Sequence, residues 1–396
     1  MDLTARELQI MGLLRRDPMM TSEAIARAVG STRASVNVHL SNLTKKGAVL
    51  GRGYILDERP SVVVVGGSNL DVKARASAPM QAATSNPGTG SMAPGGVGRN
   101  IAENLARLGT RTILISSVGR DAAGETVMQH TAAAGVDLEH VHRTDRATGT
   151  YVALLDADGE LVAAVSDMAA TDEISPERIA DVGDVLAAAS LLVLDGNLAP
   201  ATVGVALDRA QAAGIRAILE PVSVSKAARL AEQLTAERPL YAITPNRDEL
   251  AAITGMPAGT ARQVRAAADA LHSRGVRLVW VRLGRRGSLL SERLDDGTTT
   301  RTNLTAVPAS VDDVTGAGDA MLAAFCHATL EGADSVAAAR LGHAAAALTI
   351  ASPQTVRSDL TPRLLRSLAG SCVAETQHPQ GRPHPGVRNT TSRSTR

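Results

Sequence analysis

The stretch Asp313-Val314-Thr315-Gly316-Ala317-Gly318-Asp319 runs directly into the apolar segment 320–330, and the rest of the chain is organised around it. Its small residues predict a sharp bend followed by the start of a helix. A helix start presents unpaired N–H groups and a partial positive charge, so it can hold an anion. Gly316 and Gly318 leave room for a phosphate near the backbone. Asp319 falls in the first turn, where its carboxylate can take a proton from a hydroxyl group.

Two interpretations of this stretch are open when it is taken alone. In the first, it is a glycine-rich turn and Asp319 is an ordinary helix cap. In the second, Gly316, Ala317 and Gly318 form an anion hole beside a general base, Asp319. The other segments of the chain decide between them.

The composition bounds the class of protein. The chain has 396 residues, of which 44% are hydrophobic and 20% charged, as in soluble globular proteins with one large domain and an appendage, or two domains. A net charge of +1 does not decide for or against nucleic acid. Two cysteines do not make a disulfide framework. With no signal-peptide pattern and no apolar run of ~18 residues, we expect a cytoplasmic protein without membrane contact.

Residues 1–57 predict a small separate domain. Helical patterns at 3–14, 21–30 and 31–43, the last capped by Ser31, precede a predicted β-hairpin at 45–56. This order is typical of a winged helix-turn-helix. Eight Lys and Arg against five Asp and Glu give this segment an excess of three positive charges, which suits phosphate contact. A small three-helix interaction module is the alternative. The residues expected to face DNA lie on the third helix: Arg33, Ser35, Asn37 and His39.

After Pro60 the pattern changes to that of an α/β domain, which we place at residues 61–370. The β-branched run Val62–Val65 is typical of a strand buried on both faces. Short apolar strands then alternate with helices, which predicts a mostly parallel central sheet flanked by helices. Segments 151–155 and 160–165 break this alternation and predict an antiparallel hairpin in a small β lid. The polar segment 375–396 predicts a disordered tail.

Polar residues follow several predicted strands. Asn69 and Asp71 come after the first one, at the end of the sheet where α/β proteins bind ligands. Asp71 can accept two hydrogen bonds from a vicinal diol, or it can cap a loop. The segment 94–100 is a helix-entry turn whose glycines permit the close approach of a ligand and whose Asn100 can donate and accept hydrogen bonds.

Asn246 and Glu249 also follow a predicted strand, and their role is open. Their spacing fits a capping box, a purely structural device. The same two side chains can hold Mg²⁺ through water molecules, because this ion prefers oxygen ligands and keeps much of its hydration. Segment 283–288 is either a simple turn or a loop facing a nucleotide. The absence of a Gly-Lys-Ser/Thr sequence excludes a Walker-type loop, and no zinc-ligand pattern is present.

Together these segments resemble the PfkB (ribokinase-like) sugar and nucleoside kinases from about residue 61 to 368. Gly95-Gly96-x-Gly98-x-Asn100 resembles the N-terminal signature of that family, and the stretch 313–319 resembles the C-terminal one. The resemblance implies a ribokinase-like fold and ATP-dependent phosphorylation, with Asp319 as base and the amides of 316–318 as anion hole. It also implies roles for further residues: substrate binding by Asn69, Asp71, Gly95, Gly96, Asn100 and Asp167; binding of ATP and Mg²⁺ by Asn246, Glu249, Gly284, Gly287 and Thr315; and a K⁺ site at Asp313.

Within the family the likeness is greatest to pseudouridine kinases, in segments 85–88, 94–108, 154–160, 167–168 and 220–223. This implies phosphorylation of a nucleoside 5′-hydroxyl and, as is common for such lids, a homodimer. Two positions depart from those relatives: Ser166 replaces an Asn, and Glu220 replaces an Asp. Another sugar or nucleoside kinase, such as a ribokinase or an adenosine kinase, stays open. So does a transcription regulator that uses a kinase-like domain as its ligand sensor.

Overall fold

The computed structural model describes residues 3–50 and 59–377. In the first of these segments, α1 (Ala5–Arg16), α2 (Ser22–Ala28) and α3 (Arg33–Lys45) pack around a small apolar core. Thr32 caps α3, because its Oγ1 accepts a hydrogen bond from the N–H of Ser35 at 3.2 Å. The prediction that Ser31 is the cap is therefore wrong by one residue. Half of the predicted hairpin, residues 51–56, lies outside the described residues.

The second segment is an α/β domain. Its strands are β1 (Ser61–Val65), β2 (Asn69–Ala76), β3 (Gly88–Gly95), β4 (Arg111–Gly119), β5 (Val141–Thr144), β6 (Gly149–Leu155), β7 (Leu161–Asp167), β8 (Leu191–Asp195), β9 (Arg216–Glu220), β10 (Leu240–Ile243), β11 (Val276–Arg282), β12 (Ser288–Arg293), β13 (Thr299–Leu304) and β14 (Ala374–Gln377). Its helices are α4 (Val97–Arg107), α5 (Ala122–Ala133), α6 (Pro176–Asp181), α7 (Gly183–Ala187), α8 (Pro200–Ala213), α9 (Val224–Leu230), α10 (Arg247–Thr254), α11 (Ala261–Ser273), α12 (Ala317–Leu330), α13 (Ser335–Ile350) and α14 (Pro362–Ala369).

The main sheet has the strand order β14-β13-β12-β11-β10-β9-β8-β1-β4-β5. All pairs from β11 to β5 are parallel, and the pairs from β11 to β14 are antiparallel. Val63 and Val65 point into one apolar core, and Val62 and Val64 into another on the opposite face. The predicted mostly parallel sheet, with β1 buried on both sides, is confirmed.

A second sheet has the strand order β3-β2-β6-β7, and β2 begins shortly after the carboxyl end of β1. β6 and β7 pair antiparallel, as the hairpin prediction required, while β2 and β6 pair parallel. Every residue of β7 is exposed, and most of β3 is as well. This small sheet forms one layer, with one side over the main domain, and we call it the lid.

The C-terminal end of the described chain corrects one prediction. Residues 375–377, placed in a disordered tail, belong to β14, which pairs antiparallel with β13 at the edge of the main sheet. The side chain of Cys372, just before this strand, is buried. The remainder of the predicted tail lies outside the described residues. Among the described helices, none has the length and apolar character needed to span a membrane.

Candidate active site

The first part of the site forms where β1 ends. The carboxylate of Asp195, at the end of β8, accepts hydrogen bonds at Oδ2 from the N–H groups of Gly67 and Gly98, each at 2.8 Å. A Cβ at Gly98 would lie 2.7 Å from the Cα of Gly66, so both glycines are needed for this close approach. Asp195 is fully buried, and burial raises its pKa. This side chain fixes the start of α4 against the loop after β1.

The lid meets α4 at the glycine pair of the N-terminal signature. Gly96 caps α4 with a φ of +97°, a conformation that favours glycine. A Cβ at Gly95 would overlap the carboxylate of Asp71, so glycine there makes room for that side chain. Asn69 donates from Nδ2 to Oδ1 of Asp71 at 2.6 Å. Asp71 is half-buried, and burial raises its pKa. The predicted substrate residues Asn69, Asp71, Gly95 and Gly96 are therefore adjacent.

Asn100 joins the two signatures. Its Nδ2 donates to Oδ2 of Asp319 at 2.7 Å, and its Oδ1 accepts a hydrogen bond from the guanidinium of Arg99. Arg99 is 1% exposed and is held by the carbonyl oxygen of Gly95 and the carboxylate of Glu103. Because an arginine donates only, its bond to Oδ1 directs the NH₂ end of the Asn100 amide toward Asp319.

The start of α12 has unpaired N–H groups. Gly316 caps the helix with a φ of +78°, and no side chain bonds to the N–H groups of the first turn. The N–H of Ala317 has only a long bond of 3.4 Å to the carbonyl of Val314. Within the described chain, the N–H groups of Gly318 and Asp319 have no hydrogen-bond partner. A Cβ at Gly316 would overlap the carbonyl oxygen of Thr355, so only glycine fits this turn.

Asp319 lies in this first turn and is 8% exposed. Burial raises its pKa from 3.8 to about 7, although the Asn100 hydrogen bond acts in the opposite direction. A carboxylate with a pKa near neutrality is matched to accepting a proton at physiological pH. The interpretation of Asp319 as a plain helix cap does not fit, because its side chain bonds to Asn100 rather than to the helix start.

A charged cluster lies beside this turn. Arg282, at the end of β11, donates from Nη2 to Oε1 of Glu220 at 2.7 Å and to Oε2 of Glu249 at 3.2 Å. Oε2 of Glu220 accepts a hydrogen bond from Thr244 at 2.5 Å. Val222 follows Glu220 with a φ of +72° and donates its N–H to Oε1 of Glu220 at 3.3 Å. Both carboxylates are buried.

Asn246 and Glu249 form the capping box that their spacing allowed. Oδ1 of Asn246 accepts from the N–H groups of residues 248 and 249, each at 2.9 Å, and Oε2 of Glu249 accepts from the N–H of Asn246 at 2.8 Å. Burial raises the pKa of Glu249. Oε1 of Glu249 has no hydrogen-bond partner in the described part of the chain. The pair therefore has the structural role of a capping box, which does not use Oε1 of Glu249.

Gly284 and Gly287 form the turn between β11 and β12, with φ values of +61° and +86°. A Cβ at Gly287 would overlap the carbonyl oxygen of Leu304. This turn directly follows Arg282, which brings the predicted nucleotide-facing loop to the same end of the sheet.

Asp313 and Thr315 lie just before the start of α12. The N–H and Oγ1 of Thr315 donate to Oδ1 of Asp313 at 2.8 and 2.7 Å. Oδ2 of Asp313 forms an ion pair with Nζ of Lys73, on β2 of the lid, at 2.5 Å. Burial acts to raise the pKa of Asp313, but Lys73 and Thr315 outweigh it, so this pKa lies below its ordinary value. The carboxylate for which K⁺ binding is predicted is thus paired with an ammonium, and the K⁺ site at Asp313 stays a prediction.

Asp167 ends β7, where it pairs with Thr150 of β6 and is exposed. Its neighbour Ser166 pairs with Tyr151. Both lie in the lid, two strands away from Asn69 and Asp71. In the N-terminal segment, Arg33 and Asn37 are exposed on α3, whereas Ser35 and His39 are half-buried. The exposed stripe of α3 also contains Ala34, Val38, Ser41 and Lys45.

The model of the pfkB family carbohydrate kinases matches residues 59–362. The chain belongs to this family. A winged helix-turn-helix DNA-binding model matches residues 3–49. This pfkB kinase is therefore a sugar or nucleoside kinase, a phosphotransferase with an alcohol group as acceptor, and it carries an N-terminal winged helix-turn-helix.

Two curated pfkB relatives come from Escherichia coli K12. The uncharacterized sugar kinase YeiI is 32% identical over 348 residues, which cover 88% of this chain and 94% of the relative. A pseudouridine kinase is 29% identical over 305 residues, or 77% and 95% of the two chains. Among solved structures, a carbohydrate kinase from Agrobacterium tumefaciens is 30% identical, with a TM-score of 0.68 over 80% of this chain and 100% of that one. Arabidopsis thaliana ribokinase, solved with ribose and ATP, is 26% identical, with a TM-score of 0.67 over 78% and 98%.

Four residues of this pfkB kinase site were not singled out from sequence: Lys73, Arg99, Asp195 and Arg282. Arg99 lies inside the N-terminal signature, and Asp195 directly follows a predicted strand, so each had a positional signal. Lys73 and Arg282 had none, because a lone cation in a strand most often faces solvent.

Proposed function

We propose that this kinase transfers the γ-phosphoryl group of ATP to the 5′-hydroxyl of a nucleoside, with pseudouridine as its substrate. One observation carries the chemistry. A buried aspartate whose pKa is raised to about 7 lies in the first turn of a helix with unpaired N–H groups. A general base and an anion-binding turn are thus combined within four residues, Gly316 to Asp319. We propose that the reaction takes place in the cytoplasm, where ATP is available.

In the proposed reaction, Asp319 accepts the proton of the 5′-hydroxyl as the oxygen attacks the γ-phosphorus. A bond forms between that oxygen and phosphorus, the bond from phosphorus to the β,γ-bridging oxygen breaks, and ADP leaves with the electron pair. The amides of Gly316, Ala317 and Gly318 stabilise the charge on the transferred group. Asn100 keeps Asp319 oriented and, by its hydrogen bond, favours the ionised form of the base.

The ribose hydroxyls would contact Asn69, Asp71 and Asn100, with Gly95 and Gly96 allowing the sugar close to the backbone. Asp71 supports this assignment because it is only half-buried and one of its oxygens, Oδ2, has no hydrogen-bond partner within the described residues. Asp167, exposed on the lid, would contact the nucleoside when the lid is over the site.

The nucleotide would lie along the turn that contains Gly284 and Gly287, with its phosphates toward Thr315 and the start of α12. Asn246 and Glu249 fit Mg²⁺ through water molecules rather than directly, because the described chain has no group of three His, Cys, Asp or Glu placed to ligate a metal. When bound, the ion supplies compensation for the charge of the phosphates.

The choice of pseudouridine rests on similarity. Pseudouridine kinases of E. coli and of Arabidopsis thaliana are 29% and 27% identical to this chain. Ribokinase of Arabidopsis thaliana is also 29% identical, so a ribose-type substrate is the competing choice. Ser166 is the lid position at which the nucleobase contact of this chain would differ from that of its relatives.

The test is ATP consumption by the purified protein with Mg²⁺ against pseudouridine, uridine, cytidine, adenosine, inosine, ribose and fructose 6-phosphate. We expect a strong preference for pseudouridine over uridine. Turnover of another acceptor would retain the reaction and replace the substrate. Tight binding of one compound without turnover of any would make the domain a sensor and contradict the proposed activity.

A second function is favoured by the match of residues 3–49 to a winged helix-turn-helix DNA-binding model. We propose that the domain at 1–57 binds DNA through α3, with Arg33, Asn37, Ser35 and His39 at or beside its outer face. The protein would then be both a kinase and a regulator of transcription, with the kinase domain at 61–370 reporting on the nucleoside.

We also propose a homodimer that pairs through the lids. The lid exposes several large apolar side chains that a monomer would leave in water: Met92, Leu154, Leu161, Val162 and Val165. Met92 and Val165 lie in one register row across the lid, with Val72 and Val152 between them. A patch of exposed apolar side chains marks a protein contact. Sedimentation of the wild type against Val165→Glu tests this: a dimer that dissociates in the variant supports it, and a wild-type monomer contradicts it.

A further inference from the structure

Arg282 lies beside the start of α12, and the proposed reaction has not yet given it a role. It ends β11, and its backbone is fixed there because its N–H donates to the carbonyl oxygen of Pro245 at 2.8 Å. One side of its guanidinium, at Nη2, bonds to the buried carboxylates of Glu220 and Glu249. The side chain is 20% exposed, so it is also open to the site.

The other side of the guanidinium faces the glycine turn. A Cβ placed on Gly318 would overlap Nη1 of Arg282, so this amino group lies directly against the backbone at the start of α12. Nη1 has no hydrogen-bond partner in the described part of the chain, and the N–H groups of Gly318 and Asp319 beside it have none either. Three donors without a partner therefore lie close together at the start of α12.

The positive charge of Arg282 also favours an anion at this position. Arginine stays protonated, and its planar fork matches the oxygens of a phosphoryl group. Glu220 and Glu249 hold Nη2, and because the guanidinium is rigid, the direction of Nη1 is set as well. A phosphoryl group beside Gly318 would bring negative charge to Nη1, the side of the guanidinium that pairs with neither Glu220 nor Glu249.

We propose that Arg282 is a further catalytic residue, whose Nη1 donates to the γ-phosphoryl group during transfer, and that Glu220 and Glu249 are the positioning residues that aim it. This proposal rests on the proposed function, since it requires that a phosphoryl group pass the start of α12. It adds a permanent positive charge to an anion hole otherwise built from backbone amides.

The competing explanation is that Arg282 only neutralises two buried carboxylates. It predicts that replacing Arg282 lowers stability and leaves the chemistry of the folded protein unchanged. Arg282→Lys separates the two explanations. Lysine keeps the positive charge next to Glu220 and Glu249, but it lacks the second amino group that reaches the turn.

The experiment measures kcat, KM and thermal unfolding for wild type, Arg282→Lys and Arg277→Lys. Arg277 is the matched control, because it lies on the same strand and also pairs with two carboxylates, those of Glu292 and Asp295, at the exposed face. We expect kcat to fall about 100-fold in Arg282→Lys, the cost of one oxyanion donor, with an unchanged melting temperature and an unchanged control. A kcat close to that of wild type in folded Arg282→Lys overturns the proposal.

Chemical rescue of Arg282→Ala is a second measurement, and a purely structural role of Arg282 would not affect it. Guanidinium ion at millimolar concentration should restore part of its turnover, and it should restore none to Asp319→Asn. Absence of rescue in a folded Arg282→Ala variant contradicts the proposal. If that variant does not fold, the lysine variant decides.

Failure of the proposed function is seen separately, in the wild type. If wild type turns over no acceptor, the affinities for ATP and ADP still test Arg282. Wild type should prefer ATP, and Arg282→Lys should lose that preference. An equal ATP preference in the two proteins contradicts a contact with the γ-phosphoryl group.

Discussion

The side-chain amide of Asn100 donates to the carboxylate of Asp319 at 2.7 Å, although the two residues are 219 positions apart in the chain. This bond joins α4 to α12 and connects the proposed sugar-binding residues to the proposed base. Its direction is fixed by Arg99, which occupies the oxygen of the same amide. The orientation of the base therefore depends on residues that do not contact it.

Activity should depend on pH through Asp319. The base acts only when ionised, and burial raises its pKa to about 7. We therefore expect kcat/KM for the nucleoside to rise with pH and to level off above about 7, since this parameter reports the free enzyme. A pH profile at fixed ionic strength measures it. An inflection near the ordinary pKa of an aspartate would contradict the assignment.

Asn100→Asp should move that inflection to higher pH. The change removes a donor to Asp319 and adds a negative charge beside it, and both disfavour the ionised base. The pH profile of the variant checks this, with thermal unfolding as the control for folding. A pH profile that coincides with that of wild type would show that Asn100 does not influence the pKa of Asp319.

Asp319→Asn should reduce turnover by about 10³-fold, within the range for loss of a general base. The stability of the Asp319→Asn variant, in contrast, should be higher than that of wild type. The pKa of Asp319 is raised from 3.8 to about 7, so the folded state binds the proton more tightly and loses stability as pH rises between these values. This cost is up to about 4 kcal/mol above pH 7, at about 1.4 kcal/mol for each of roughly three units.

Chemical denaturation at pH 8 and pH 5 measures this effect. The free energy of unfolding of Asp319→Asn should exceed that of wild type at pH 8, and the difference should shrink at pH 5. Turnover retained within about tenfold of wild type would exclude Asp319 as the base, because a base contributes at least ~10²-fold.

Lys73→Met should make the enzyme responsive to K⁺. In wild type the ammonium of Lys73 neutralises Asp313 beside the anion hole, so we expect equal turnover in K⁺ and Na⁺ salts. The variant should lose about tenfold in turnover, which corresponds to about 1.4 kcal/mol, and regain part of it in K⁺. Arg75→Met is the matched control, since Arg75 lies on the same strand and, among the described residues, hydrogen-bonds to the carbonyl of Ala157 and not to a carboxylate. K⁺ activation of wild type would contradict the prediction.

DNA binding by the full chain should weaken steeply with salt. Neutralising about six phosphates would cost roughly 10³-fold in affinity between 50 and 200 mM salt. Arg33→Ala should weaken binding and lower the salt slope by about one unit. Gel retardation with genomic fragments measures both, and Arg16→Ala, an exposed change on α1, is the control. If no retardation is seen at low salt, the domain at residues 1–57 is an interaction module rather than a DNA-binding domain.

The sequence predicted the fold where one local signal was sufficient. The run Val62–Val65 and the helices with clear periodicity are present within a few residues of the predicted bounds. β3 was missed because Gly88–Gly95 has no apolar alternation, and it is a strand only through its pairing with β2. β14 was missed because four residues at a sheet edge are held by their neighbour β13 rather than by their own pattern.

The site was predictable to the same extent. The two glycine-rich signatures gave Asn100 and Asp319, whose roles follow from residue type and position. Lys73 was not predictable, because its partner lies 240 positions away. For Arg282 the obstacle was geometry: its importance depends on which side of the guanidinium faces Gly318, and no spacing along the chain encodes that.

Val222 has a consequence for how this protein responds to selection. A β-branched residue with a φ of +72° is a backbone outlier of the kind that costs about 1–3 kcal/mol. Its N–H contacts Glu220, one of the carboxylates that hold Arg282. Glycine adopts this conformation without strain and keeps the N–H that contacts Glu220. Selection for heat resistance alone would therefore favour glycine at position 222, a change that leaves the contact to Glu220 in place.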